Sequence, residues 1–207
     1  MHSPEGYYAN ESADVIALLP RPVARVLDVG CGAGGTARGL REAGASEIVG
    51  IEIVPSAAES ARAVLDEVHV AAVEEALDDL EGPFDTILCL DVLEHLVDPG
   101  HVLARLRELA APGATLQVSV PNARHLSLVG DLLFRGTFGY ADWGHRDRTH
   151  LRWFTRRDLI ELVAGAGWEV TRTSVPPLGR SAALHRITRG WSSEFLVAQI
   201  YLTARAG

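Results

Sequence analysis

The residues with the clearest capacity for chemistry are Asp28 and the glycines behind it, in Val26-Leu27-Asp28-Val29-Gly30-Cys31-Gly32-Ala33-Gly34-Gly35. Val26, Leu27 and Val29 form a short apolar run that reads as a buried strand, and the glycines break it into a tight turn ahead of a helix. Such a turn lays bare backbone N–H groups against a ligand. Glycine is needed because a Cβ obstructs both a positive φ and a close approach. Gly30, Gly32 and Gly35 satisfy G-x-G-x-x-G, and Glu52 stands roughly 20 positions further on, as in a dinucleotide site. Two cofactors therefore compete for the turn. Asp28 weighs against a pyrophosphate, which a carboxylate repels, and in favour of a cationic amino-acid group, from which it accepts hydrogen bonds.

Other chemistry-bearing residues lie further along. His95, His145 and His150 are of the type that exchanges protons near neutral pH. His145 and His150 are five residues apart, which does not put them on one helix face, and no third ligand is evident, so no metal site is expected. All 19 basic residues are arginine, and Arg146, Arg148, Arg152, Arg156 and Arg157 crowd into one stretch beside Asp147 and Asp158. Such a run is either a solvated face or a fork-shaped grip on a phosphate or carboxylate. Phe138, Tyr140, Trp143 and Trp153 either line a substrate pocket or pack a lid.

The elements that must position these residues alternate. Short apolar strands at Val26–Val29, 48–52, 68–72, 84–90 and 114–120 are separated by helical stretches at 36–43, 55–65, 74–80 and 102–109, which calls for a mostly parallel sheet covered on both faces. Ligands in such sheets sit beyond the carboxyl ends of the strands, where Leu90 and Asp91 fall. The segment 121–154 is long for a connection and reads as an insert over the site. An amphipathic cap helix is expected within 1–20. Thr155 is a plausible N-cap for the helix that follows. A strand over 168–175, a short helix over 182–188 and a final strand over 194–205, antiparallel at one edge, complete the chain. With 207 residues, 47% of them hydrophobic, the whole 1–207 is read as one domain.

A net charge of −8 disfavours a nucleic-acid binder. No apolar stretch reaches the ~18 to 20 residues of a membrane span, and the first residues lack a signal-peptide pattern, so a cytoplasmic protein is expected. Cys31 and Cys89 are expected to be reduced and buried.

Five stretches together resemble class I methyltransferases dependent on S-adenosylmethionine (SAM), in a bacterial subgroup acting on small molecules. They are Gly6-Tyr7-Tyr8, the Asp28 glycine run, Asp91-Val92-Leu93-Glu94-His95-Leu96, Pro121-Asn122 and Asp147-Arg148-Thr149-His150-Leu151-Arg152-Trp153-Phe154-Thr155. The resemblance implies a three-layer α/β/α sandwich with a seven-stranded, mostly parallel sheet and an antiparallel last strand. It implies SAM as cofactor, held by Asp28, Gly30, Cys31, Gly32 and Gly34, with Glu52 on the ribose, Ile53 on the adenine face, and Leu90 and Asp91 near the ammonium group. Ala71-Ala72 replaces the family's usual Gly-Asp, which leaves Val73 and Glu74 to meet the adenine edge. The acceptor would be a hydroxyl or amine of a small metabolite, anionic or neutral, such as a sugar, polysaccharide precursor or secondary metabolite. Tyr7, Tyr8, Asn122, Tyr140, Trp143, Arg148 and Arg152 would bind it, and His145, His150 or His95 would take its proton. Two rivals are an NAD-dependent oxidoreductase and a SAM-binding regulator without chemistry. The protein is expected to act as a monomer or homodimer.

Overall fold

The computed structural model describes residues 15–20, 23–142, 144–174 and 193–207. Seven strands form one sheet: β1 (Arg25–Val29), β2 (Glu47–Ile51), β3 (Glu67–His69), β4 (Phe84–Leu90), β5 (Ala110–Pro121), β6 (Trp168–Ser174) and β7 (Gln199–Ala206). Their order is β3-β2-β1-β4-β5-β7-β6. Strands β1 to β5 run parallel, and β7 runs antiparallel to both β5 and β6. The seven-stranded α/β architecture is the expected one.

Alternation along each strand divides the core into two layers, because successive side chains point to opposite faces. Val26, Ile48 and Leu88 pack with Leu40 and Ala61 on one face, while Leu27, Val49 and Ile87 pack with Val102, Leu103 and Leu106 on the other. The helix Pro99–Glu108 that supplies the last three is started by Asp98, which accepts from the His101 N–H, with proline just inside. Burial of each such leucine or valine stabilises the fold by ~1.5 to 3 kcal/mol. Trp168 completes this layer and donates its indole N–H to the Leu103 carbonyl at 2.9 Å. Thr155 caps the helix Arg156–Gly165 in a reciprocal box with Asp158.

Three sequence expectations need correction. First, β7 does not lie at the edge. It is inserted between β5 and β6, and its nearly continuous burial suits a strand paired on both sides. Second, the stretch from Glu194 does not begin that strand. Residues Ser193–Leu196 form a helical turn, because the Asn122 amide donates to the Glu194 and Val197 carbonyls at 3.0 and 2.8 Å. Third, the helix after Pro55 stops at Ala61 and β3 covers only Glu67–His69, both shorter than their apolar patterns. The expected short helix at 182–188 and most of the N-terminal cap lie outside the described residues. Among the described residues no helix is long and apolar enough to cross a membrane.

Candidate active site

The glycine turn leaves β1 with Gly30, Gly32 and Gly34 at φ +71°, +55° and +80°. The N–H groups of Gly30 and Cys31 donate to the Ile51 carbonyl at 2.8 and 3.0 Å, which ties the turn to β2. A Cβ at Gly30 would strike Val92, and one at Gly34 would strike Val64 and Leu65, so these two glycines serve packing. A Cβ at Gly32 would meet no atom within 4 Å. It would enter open space instead, where a ligand can come close; the N–H groups of Gly30, Cys31, Gly32 and Gly34 are not bare as expected, because Ile51, Glu52 and Cys31 already accept them.

Glu52 ends β2 against this turn. Its carboxylate accepts the Gly32 N–H at 2.9 Å on one oxygen and the Val54 N–H at 2.8 Å on the other. Each oxygen keeps a further lone pair, so the group is oriented in advance for two more donors, as in the vicinal hydroxyls of a ribose. Glu52→Ala is expected to weaken binding of S-adenosylhomocysteine by ~1 to 3 kcal/mol. Titration calorimetry on the variant checks this, and an unchanged dissociation constant removes Glu52 from the ligand.

Asp28 is buried behind the turn, where its carboxylate accepts the Thr36 hydroxyl at 2.5 Å. Burial raises its pKa to about 6; Glu52 adds to the rise, and the Thr36 hydrogen bond opposes it. A cationic ligand lowers that pKa again, since opposite charge favours the ionised form. Binding near pH 6 is therefore expected to release protons, and affinity should fall as pH drops through about 6, where the carboxyl must first lose its proton. Calorimetry with SAM in buffers of different ionisation enthalpy reads this directly. The release should vanish at pH 8 and in Asp28→Asn, and its absence at pH 6 in the wild type would refute the assignment. Beside Asp28, burial holds the Cys31 thiol up at about 12, and burial also raises Cys89, so neither serves as a nucleophile.

Beyond β4 the chain turns sharply at Asp91, which has a φ of +55°. One oxygen of Asp91 accepts from the Gln199 amide at 2.7 Å and the Ser119 hydroxyl at 3.2 Å. The short 3-10 turn Leu93–His95 follows. Its Glu94 is 1% exposed, both carboxylate oxygens lack a partner among the described residues, and burial, then Asp91, raises its pKa well above the usual range.

The two distant motifs interlock here. The Glu94 carbonyl accepts the N–H groups of Leu151 and Arg152 at 2.7 and 3.0 Å. His95 Nδ1 meets the Thr149 hydroxyl at 3.2 Å, and the His150 ring packs edge-on against His95 at 4.8 Å. Glu94, His95 and His150 each offer one ligand-capable atom within 4.8 Å of the others, an arrangement able to hold a divalent cation. No metal site is expected from His145 and His150; the fold instead sets two residues, Glu94 and His95, from more than 50 positions away beside His150, and His145 is not in the group.

His145 sits in the 3-10 turn Gly144–Arg146. Its Nε2 is buried with no partner among the described residues, and the Ala198 backbone favours the charged ring. Burial lowers the pKa of His145 to about 4, with His125, Arg146 and His150 contributing, and the ring is neutral at physiological pH. A cavity of about 520 Å³ joins these groups other than Glu52, lined by Asp28, the glycine turn, Leu90, Asp91, Glu94, His95, His145, His150 and Gln199. That volume is ample for a small-molecule site.

Other residues singled out in the sequence fall elsewhere. Ile53 is 67% exposed at the end of β2, Val73 is a core residue of the turn Val73–Ala76, and Glu74 is exposed beside it. None of the three lines the cavity. Asn122 is not available to a substrate: its amide serves Glu194 and Val197, and its oxygen accepts the Arg124 N–H. The arginines have partners within the chain: Arg146 pairs with Asp131 at 2.6 Å, Arg148 with Asp142 at 2.8 Å, and Arg152 donates to the Val97 carbonyl, and these contacts brace the insert. Tyr140 is 60% exposed and packs on Phe138. Tyr7, Tyr8 and Trp143 lie outside the described residues. Ser119 and Gln199 line the cavity without a local pattern that separates them from ordinary strand residues, and Glu94 was visible only as a member of the Asp91–Leu96 motif.

A family profile described as "Methyltransferase domain" matches residues 5–173. The chain is 34% identical over 165 residues to a ubiquinone biosynthesis O-methyltransferase of Xylella fastidiosa, with 72% of this chain and 66% of that relative covered. It therefore spans just under two thirds of that relative's length. A SAM-dependent methyltransferase from Mesorhizobium loti shares the fold with a TM-score of 0.67 at 17% identity, covering 95% of this chain and 99% of that one. Magnesium protoporphyrin IX methyltransferase from Synechocystis, solved with S-adenosylhomocysteine, gives 0.66 at 19% identity over 100% of this chain and 89% of that one.

Proposed function

Because the chain belongs to the methyltransferase-domain family, we propose that it transfers the methyl group of SAM to a hydroxyl of a small molecule, with His145 as the general base. The observation that carries this reading is the half-buried, neutral imidazole of His145 in the lining of the cavity.

The cofactor half fits the residues present. Gly32 offers open space, Glu52 offers two spare lone pairs and Asp28 a negative charge near a cationic ligand. Once bound, SAM supplies a methyl made electrophilic by its sulfonium. The chain then has to align the acceptor, exclude water and remove a proton. An amine attacks through its own lone pair, whereas a hydroxyl gains from a base placed to receive its proton. A neutral imidazole in the cavity lining therefore favours oxygen over nitrogen, and the name of the Xylella relative points the same way. That name lends nothing to a sugar or a secondary metabolite, and braced arginines lend nothing to an acidic acceptor. The insert at 121–154, docked on Glu94, is the natural cover for the acceptor.

Incubation with methyl-labelled SAM and a panel of hydroxyl and amine compounds tests the choice. Labelled ethers are the expected products. Transfer confined to nitrogen overturns the oxygen assignment, and release of label only as unreacted SAM supports a regulator without chemistry.

A further inference from the structure

We infer that Glu94, His95 and His150 form a binding site for one divalent ion of the zinc type, built where the turn Leu93–His95 meets the insert. One ligand-capable atom from each residue lies within 4.8 Å of the other two, and all three residues line the cavity. Glu94 is 1% exposed, and neither of its carboxylate oxygens has a partner among the described residues. His150 Nδ1 is likewise buried without one. A charged carboxylate is costly to bury unless it is paired or coordinates a metal, and a cation held between it and two imidazoles removes that cost. Tetrahedral zinc with ligands at ~2.0 to 2.2 Å sets them about 3.4 Å apart, so from 4.8 Å the three need to close by no more than about 1.4 Å.

A second observation is the way His95 is held. Its Nδ1 lies 3.4 Å from the Thr149 carbonyl and 3.2 Å from the Thr149 hydroxyl. A carbonyl only accepts, so Nδ1 carries a proton and donates. The Thr149 hydroxyl gives its own hydrogen to Asp147 at 2.8 Å, which leaves its oxygen free to accept from the same Nδ1–H. The lone pair of the neutral ring is then on Nε2, the nitrogen available to a metal. Metal-bound histidines donate the other ring N–H to a carbonyl or carboxylate in this manner, which fixes both tautomer and ring orientation. Thr149 and Asp147 are thus positioning residues for the site.

Donor chemistry chooses the ion. Two imidazoles and one carboxylate suit zinc and its first-row neighbours, whereas magnesium and calcium prefer oxygen donors. Three protein ligands leave a position open, as in catalytic zinc sites. In the oxygen-transfer reading above, on which this last step alone rests, the open position takes the hydroxyl oxygen of the acceptor. A divalent ion makes a bound hydroxyl more acidic. Its proton then passes to His145 while the oxygen takes the methyl group, and the methyl–sulfur bond of SAM breaks with its electron pair left on sulfur.

The test titrates chelator-stripped protein with zinc chloride by calorimetry and counts zinc retained after dialysis by atomic emission. One ion per chain is expected. Glu94→Gln and His150→Ala should each weaken binding by about tenfold or more. Thr149→Ala keeps all three ligands and should also weaken it by about tenfold, with recovery in Thr149→Ser. His101→Ala, at an exposed position outside the group, should stay within about twofold of wild type. Cobalt(II) supplied in place of zinc should give a visible absorption band that is lost in His150→Ala. Should Glu94→Gln fail to fold, His150→Ala and the two Thr149 variants decide the matter. Absence of zinc binding, or zinc binding unchanged in Glu94→Gln and His150→Ala, overturns the inference. Labelled ethers from a protein that binds no zinc would leave the oxygen reading standing without the ion. Zinc bound as expected, with label transferred only to nitrogen, would keep the ion site and remove the oxygen reading.

Discussion

His145→Ala is expected to lower turnover by ~100-fold or more while leaving the affinity for S-adenosylhomocysteine within about twofold of wild type. The imidazole lies in the acceptor half, so its removal takes away a proton acceptor without touching Asp28 or the glycine turn. Its low pKa, about 4, has two consequences. The lone pair is open at neutral pH, and the ring is a weak base, so proton transfer has to accompany C–O bond formation rather than precede it. At saturating SAM the acid limb of the rate profile should accordingly stay flat as pH falls past 6.5 and drop only near pH 4, because a base is lost when it protonates and this one protonates late. Partial rescue of His145→Ala by added imidazole is a further sign of a proton acceptor. A variant with full turnover, or one whose loss is entirely a loss of S-adenosylhomocysteine binding, refutes the role.

Gly32→Val is expected to abolish binding of S-adenosylhomocysteine, a loss of ~100-fold or more, with only a moderate loss of fold stability. The backbone at φ +55° resists any Cβ, at a cost of ~1 to 2 kcal/mol, but a Cβ there meets no protein atom within 4 Å. The added side chain projects into the space proposed for the ligand. Thermal unfolding separates the two effects. Wild type should gain melting temperature on addition of S-adenosylhomocysteine by mass action, and the variant should melt cooperatively without that gain. Retention of the gain would mean that the turn does not approach the ligand. Gly30→Ala is the control for packing, since its Cβ would lie 2.6 Å from a Val92 methyl and damages the fold first.

Legibility in the sequence followed the range of the interactions involved. Asp28, Gly32 and Glu52 could be singled out because a strand, a glycine turn and the next strand are local events, governed by period-two apolar alternation and by the backbone freedom of glycine. The Thr155 cap was accessible for the same reason: a cap is made within four residues, whereas the helix expected over 102–109 begins earlier, at Pro99 behind the Asp98 cap. The motif Asp147 to Thr155 was visible as a pattern, yet its main use, donation of the Leu151 and Arg152 N–H groups to the Glu94 carbonyl, spans more than 50 residues. The arginines beside it suggested an anion, and only their partners, Asp131, Asp142 and the Val97 carbonyl, identify them as braces.

By itself, then, the amino-acid order determined the parallel core of the sheet and the glycine turn after β1, since each depends on neighbours in the chain. Tertiary structure decided the insertion of β7 between β5 and β6, the meeting of Glu94 with His95 and His150, and the amide orientation of Gln199 against Asp91. The physical reason is that a polar atom buried without a partner is not a property of any residue type. It arises when distant segments close around an atom and one donor or acceptor finds nothing opposite, as at His145 Nε2 and Gln199 Oε1.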